Sequence, residues 1–165
     1  MQKMTASLST AIERRKTIEN ICLRLLARRE HSQRELFDKL ALRGFSRQEV
    51  APVIDDLAEQ HWQDDQRYAD SYVRQRIASG YGPLRIRYEL QQRGIADVDL
   101  DAKADEQGGW PDLLLKVYCN KYDTEKSLSQ SEWLKRSRFL QQRGFSGGNI
   151  KQLFVELKIK LHQLR

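Results

Sequence analysis

A six-residue pattern occurs three times along the chain of 165 residues, at a constant spacing of 50 residues. Its copies are Leu-Ala-Leu-Arg-Gly-Phe at 40–45, Leu-Gln-Gln-Arg-Gly-Ile at 90–95 and Leu-Gln-Gln-Arg-Gly-Phe at 140–145. One copy would carry little information, but three in register indicate an internal repeat. Repeats of this size bury their apolar faces against their neighbours, so the pattern predicts a tandem array and not one large core.

The glycine of each copy is expected to end a helix. Glycine adopts the left-handed conformation without a Cβ clash, as a helix stop requires. These glycines are Gly44, Gly94 and Gly144. The apolar residue that follows each glycine can fold back on the last helical turn. Three polar residues then stand in position to cap the next helix, namely Ser46, Asp97 and Ser146.

Apolar residues around the turns recur with helical spacing. After the first turn they are Val50, Val53, Ile54 and Leu57, and after the third turn they are Ile150, Leu153, Phe154 and Leu157. The middle copy is weaker here, because Leu100 and Ala104 stand among aspartates. A further helix is predicted before each pair, over residues 17–29, 65–79 and 112–122.

Together these patterns predict an all-α protein made of three tandem three-helix modules in an elongated, curved array. The predicted divisions are an N-terminal extension at 1–16, module 1 at 17–60, module 2 at 61–108 and module 3 at 109–165. Nine glycines and three prolines in the whole chain leave room for long helical runs.

The distribution of charge indicates an anionic partner. The net charge is +6, and residues 111–165 carry 11 basic and 5 acidic side chains. Residues 66–96 hold six arginines against Asp70 and Glu89. We predict that these arginines contact an anionic partner, although a solvated helical face explains the same pattern. They are Arg67, Arg74, Arg76, Arg85, Arg87 and Arg93.

No residue pattern predicts catalysis, a metal or a cofactor. His31, His61 and His162 are scattered, and the two cysteines lack paired spacing. The pairs Asp55-Asp56 and Asp64-Asp65 resemble nuclease carboxylates only superficially, since capping and solvation explain them better. We therefore expect a protein that is not an enzyme. The chain shows neither a leader nor an apolar membrane span, so we expect it in the cytoplasm.

Three segments resemble the RecX family of bacterial regulators. They are 31–36 (His-Ser-Gln-Arg-Glu-Leu), 64–69 (Asp-Asp-Gln-Arg-Tyr-Ala) and 82–86 (Gly-Pro-Leu-Arg-Ile). The resemblance implies a cytoplasmic regulator that binds the RecA–DNA filament and restrains its ATPase, strand-exchange and coprotease activities. It thereby implies a role in recombinational repair and the SOS response. It further implies no cofactor, no membrane partner, a monomeric chain, and at most weak binding of single- or double-stranded DNA.

An alternative interpretation is a helix-turn-helix protein that binds duplex DNA. Residues 32–57 contain two short helices around a glycine turn, as such a motif requires. The second helix, however, carries Glu49, Asp55 and Asp56 with Arg47 as its one basic residue. Phosphates would repel such a helix, so the tandem array is the preferred interpretation.

Overall fold

The computed structural model describes residues 2–124 and 127–161. These residues form nine helices and two short strands, in the order α1 (Gln2–Leu26), α2 (Gln33–Ala41), α3 (Arg47–Glu59), α4 (Asp65–Ala78), α5 (Pro83–Gln91), α6 (Leu100–Asp105), α7 (Gly109–Cys119), β1 (Ser127–Leu128), α8 (Gln130–Gln142), α9 (Gly147–Glu156) and β2 (Lys160–Leu161). The predicted all-α class is confirmed. The strands, which were not predicted, form one parallel pair in which Ser127 faces Lys160 and Leu128 faces Leu161.

The described residues separate into two compact units. The first unit comprises residues 2–71 and 93–95, and the second comprises 72–92, 96–124 and 127–161. Helix α4 contributes residues to both. The three-module boundaries remain a prediction.

The first unit has its core where α1, α2 and α3 meet. Its fully buried members are Ile18, Cys22, Leu36, Leu40, Val50, Val53, Ile54 and Leu57. Burial of each large aliphatic side chain contributes about 1.5–3 kcal/mol to folding. The predicted apolar stripe after the first turn therefore serves as the α3 side of this core.

Helix α1 begins much earlier than the predicted residue 17, at Gln2. Its added turns lie along α3, where Arg14 donates to Glu49 at 2.6 Å and Arg15 pairs with Asp56. The hydrogen bond from Arg14, with two more from Ser46, lowers the pKa of Glu49 to about 2. These ion pairs were not predicted, because their partners lie 35 and 41 residues apart in sequence.

The second unit has its largest apolar cluster between α7, α8 and α9. Its buried members are Leu114, Val117, Tyr118, Leu128, Leu140, Phe145, Ile150, Leu153, Phe154 and Ile159. Arg136 of α8 is also buried and donates to the Tyr118 hydroxyl at 2.8 Å. Its guanidinium further pairs with Asp123 at 3.3 Å, which compensates the cost of burying the charge.

The predicted glycine turns are confirmed. Gly44, Gly94 and Gly144 have φ values of 80°, 78° and 96°. After the first and third turns the N–H of Phe45 donates to Leu40, and that of Phe145 to Leu140, each at 3.2 Å. These bonds close the turns as helix stops of the Schellman type.

The predicted caps are confirmed at Ser46 and Ser146, whose side chains accept from the backbone of the first turns of α3 and α9. The predicted cap at Asp97 is wrong, because Asp99 accepts from the N–H of Ala102 at 3.0 Å. Helix α6 therefore starts only at Leu100. It has six residues, and its buried residues, Leu100 and Ala104, stand four apart on one helix face.

A junction inside the second unit joins the end of α8 to the start of α5. The N–H of Gly82 donates to the carbonyl of Arg143 at 2.7 Å, and the N–H of Leu84 donates to that of Gly144 at 3.1 Å. Unpaired N–H groups at a helix start thus meet unpaired carbonyls at a helix end, so each satisfies the other. Pro83 occupies the first position of α5, as predicted.

Candidate anion-binding surface

Glu89 gathers two of the six predicted arginines around one buried carboxylate. It accepts hydrogen bonds from Arg76 at 2.7 and 2.5 Å, from Arg85 at 2.8 Å and from the Tyr72 hydroxyl at 2.7 Å. The Arg76 guanidinium also lies 3.7 Å from the ring centroid of Tyr81. Burial alone would raise the pKa of Glu89, but these hydrogen bonds outweigh it and hold the pKa below its ordinary value.

Helical periodicity builds this cluster. Tyr72 and Arg76 stand four residues apart on α4, and Arg85 and Glu89 stand four apart on α5, so each pair shares one helix face. The two faces meet with the carboxylate inside. The single carboxylate therefore engages the guanidinium groups of both Arg76 and Arg85 and offsets one of their two positive charges.

Two further arginines pair with carboxylates of the first unit. Arg67 donates to Glu30 at 2.9 Å and to the carbonyls of His61 and Trp62. Arg93 lies 3.7 Å from Glu35, which also accepts from the Tyr68 hydroxyl. Sequence inspection could not find these partners, because Glu30 stands 37 residues from Arg67.

Arg74 and Arg87 differ from the other four arginines. Both are exposed, and within residues 2–124 and 127–161 neither has an ion pair or hydrogen bond through its side chain. An unpaired exposed guanidinium keeps its donors available for phosphate or carboxylate. Arg74 and Arg87 are therefore the members of the predicted set that are best suited to an anionic partner.

A second group of cations lies in the segment 111–165. The sequence analysis predicted a basic excess there but named none of these residues as a site. Lys116, Lys121 and Arg143 line a cleft of about 510 Å³ between the end of α4, α7 and α8. Lys135 and Arg138 line a neighbouring depression, which shares Lys121 and Phe139 with the cleft. Tertiary structure collects these cations from α7, the segment after it and α8.

Asp64, Asp65 and His31 have structural contacts. Asp64 caps α4 by accepting from Gln66 and Arg67, while Asp65 accepts from the backbone of Gln33. His31 is buried, with Nδ1 3.0 Å from the Arg29 carbonyl oxygen. His162 lies outside the described residues. In the described part of the chain, no three His, Cys, Asp or Glu residues are grouped to hold a metal.

The face of α3 that would read duplex DNA is acidic. Asp55 and Glu59 are exposed on it, whereas Glu49 and Asp56 pair with α1. Phosphates would be repelled by the exposed carboxylates. Among the residues described, no helix is both long enough and apolar enough to cross a membrane.

Fold and surface together define a tandem three-helix repeat protein that presents exposed cations. Family models describe two such modules: residues 20–57 match "RecX, first three-helix domain" and residues 64–102 match "RecX, second three-helix domain". The chain belongs to the RecX family.

Named relatives agree with this assignment. The chain is 41% identical to the regulatory protein RecX of Legionella pneumophila (strain Corby), over 82% of this chain and 91% of that protein. It is 39% identical to the regulatory protein RecX of Halorhodospira halophila, over 81% and 84% of the two chains.

Solved structures agree at the level of the fold. RecX from Lactobacillus salivarius superposes with a TM-score of 0.66 at 23% identity, covering 90% of this chain and 99% of that one. A crystal structure of regulatory protein RecX gives 0.68, also at 23% identity, covering 93% and 77%. At this identity the likeness concerns the fold alone.

Proposed function

We propose that this chain binds the RecA–DNA filament and restrains its ATPase, strand-exchange and coprotease activities. It would act in the cytoplasm as a monomeric regulator of recombinational repair and the SOS response, without catalysing a reaction or using a cofactor. The observation that carries the proposal is the 41% identity to a named regulatory protein RecX over 82% of the chain.

The proposed filament contact is centred on the exposed arginines of α4 and α5. Arg74 and Arg87 have no carboxylate partner in the part of the chain that the structure describes, so they can bind acidic groups of a partner without breaking an internal ion pair. Arg76 and Arg85 would support this surface from their pairing with Glu89, and Arg67 and Arg93 of the first unit are proposed as further contacts with the partner.

The proposed modules at 17–60, 61–108 and 109–165 suit a repetitive partner. A filament presents identical protomers at regular intervals, and linked modules could contact more than one of them. Linking raises the effective concentration of each later contact once the first has formed, provided that the geometry allows simultaneous engagement.

The test is the ATPase activity of RecA on single-stranded DNA, measured with and without the purified protein. We expect inhibition that saturates at less than or near one chain per RecA protomer. An unrelated ATPase that depends on single-stranded DNA serves as the control for competition for DNA. Unchanged RecA ATPase at excess protein would contradict the proposal, and tight sequence-specific duplex binding without RecA would favour a helix-turn-helix regulator.

A further inference from the structure

The first copy of the repeated turn is uncovered, whereas the other two copies pack against the start of a helix. The third copy binds the start of α5, and its Gly144 and Phe145 are buried. The second copy packs on the start of α2, where Gly94 lies beside Arg34. In the first copy, by contrast, residues 41–44 are all exposed.

The helix-end carbonyls of the first copy are uncovered as well. In the third copy the carbonyls of Arg143 and Gly144 accept hydrogen bonds from N–H groups at the start of α5. Among the residues that the structure describes, no backbone N–H donates to the carbonyls of Arg43 and Gly44. The first copy therefore presents the acceptors with which its counterpart binds a helix start.

Apolar side chains lie beside these acceptors. Leu42 is 89% exposed, although the other two copies carry glutamine at its position. Its neighbour Ala41 lines a notch of about 140 Å³ together with Phe37, Phe45 and Val50. The other two residues that line the notch are charged, namely Asp38 and Arg47. An almost fully exposed leucine next to an apolar notch indicates contact with another molecule. We call Leu42, Gly44 and the four apolar residues of the notch the first-turn surface.

A second copy of this chain does not supply the helix start that this surface lacks. The starts of α2 and α5 are already covered by the second and third turns. On α8, the 50-residue spacing places Glu132 where α5 has Gly82. A Cβ on Gly82 would lie 2.6 Å from the carbonyl oxygen of Gly144, so the approach requires glycine there. The Glu132 N–H also donates already to the Ser129 hydroxyl, at 3.2 Å.

We infer that the first-turn surface docks on the start of a helix of a RecA protomer, in addition to the arginine contact. The inference rests on the proposed function, which supplies the partner. Free N–H groups of a helix start complement the free carbonyls of Arg43 and Gly44. An apolar side chain of the same partner helix enters the notch and buries Leu42. The contact of the third turn with α5 is the template for this geometry.

The test compares wild type with Ala41→Gln/Leu42→Gln in co-sedimentation with RecA filaments on single-stranded DNA. The variant gives the first copy the sequence Leu-Gln-Gln-Arg-Gly of the other two copies. Both side chains are exposed, so thermal unfolding should be unchanged. We expect filament affinity to fall about tenfold, as for the loss of one buried leucine. The ratio of the two affinities should be the same at low and high salt, because salt screens charge contacts and not apolar ones.

The matched control is Val155→Gln, which removes an apolar side chain that is 68% exposed on α9. We expect it to bind as wild type, and an equal loss in both variants would overturn the inference by showing non-specific apolar attraction. Wild-type affinity of Ala41→Gln/Leu42→Gln would also overturn it, while leaving the proposed function intact. No filament binding by the wild-type protein would instead contradict both.

A photoreactive benzophenone group placed at Leu42 identifies the occupant directly. We expect it to cross-link to RecA at the beginning of a helix, as located by mass spectrometry of the linked peptides. A cross-link to a second copy of this chain or to the DNA would refute the inference. A cross-link to a RecA segment remote from any helix start would refute it too.

Discussion

Gly144 and Arg85 approach each other so closely that the glycine cannot be replaced without movement. A Cβ atom on Gly144 would lie 2.4 Å from the Cβ of Arg85 and 2.5 Å from its backbone nitrogen. The three repeat glycines share a positive φ, but they differ in surroundings. A Cβ on Gly94 would meet Arg34 only at 3.6 Å, and one on Gly44 would meet nothing within 4 Å among the described residues.

The first prediction therefore compares Gly44→Ala, Gly94→Ala and Gly144→Ala by urea unfolding. The left-handed conformation alone costs an alanine about 1 kcal/mol, which we expect at positions 44 and 94. At position 144 the steric clash adds to this cost, and we expect a total loss of about 3 kcal/mol. Equal losses of unfolding free energy at all three positions would contradict this, because they would show that the junction of α8 with α5 adjusts to a Cβ atom at no cost.

The second prediction concerns the carboxylate of Glu89. Glu89→Gln leaves Arg76 and Arg85 without their shared counter-charge, and we expect a loss of about 2–3 kcal/mol at neutral pH in chemical denaturation. Glu106→Gln, which removes an exposed carboxylate that pairs with Lys103 at 3.6 Å, is the comparison. It should cost much less, since exposed ion pairs contribute little.

Glu89 also predicts a dependence of stability on pH. Its folded pKa lies below the ordinary 4.5, because hydrogen bonds to the charged form outweigh burial. The unfolded state therefore binds the proton more tightly. The stabilisation is complete above about pH 4.5 and is lost as the pH falls through the folded pKa. The decline of unfolding free energy below pH 4.5 should accordingly be shallower in Glu89→Gln than in wild type.

The third prediction separates the exposed arginines from folding. Arg74→Glu/Arg87→Glu should weaken binding to RecA filaments at least tenfold, as measured by co-sedimentation. Its circular dichroism spectrum should be unchanged because both side chains are exposed. Arg24→Glu/Arg28→Glu makes the same charge change at two exposed positions, one in the last turn of α1 and one just after it, and should bind as wild type. Wild-type affinity of the first variant would exclude Arg74 and Arg87 from the contact.

The fourth prediction uses the two thiols as reporters. Cys22 is fully buried, and burial, with a smaller effect of Glu19, raises its pKa to about 11. Cys119 is exposed. Since the thiolate is the reactive form, a disulfide reagent at neutral pH should label Cys119 quickly and Cys22 only when the first unit opens. Rapid labelling of both thiols in native protein would show that the core of α1, α2 and α3 is loosely packed.

The repeat could be predicted from the sequence because its determinants are local. A glycine stop, a cap within two residues and apolar residues at helical spacing depend on neighbours along the chain, so the turns at Gly44, Gly94 and Gly144 agree with the structure. The cap at Asp99 was missed because Asp97 and Asp99 are both plausible caps by local sequence. The choice of Asp99 as the cap depends on the burial of Leu100, which the local sequence does not show.

The sequence by itself determined the helical class, the turns and the basic surplus, since these follow from residue type and spacing. Only tertiary structure decided which charges remain available, because an ion pair depends on distance in space. It pairs Arg67 with Glu30 and Arg93 with Glu35, and it places Arg76 and Arg85 on one carboxylate. It leaves Arg74 and Arg87 exposed and assembles Lys116, Lys121 and Arg138 from separate segments, because helix packing brings together residues that local spacing cannot relate.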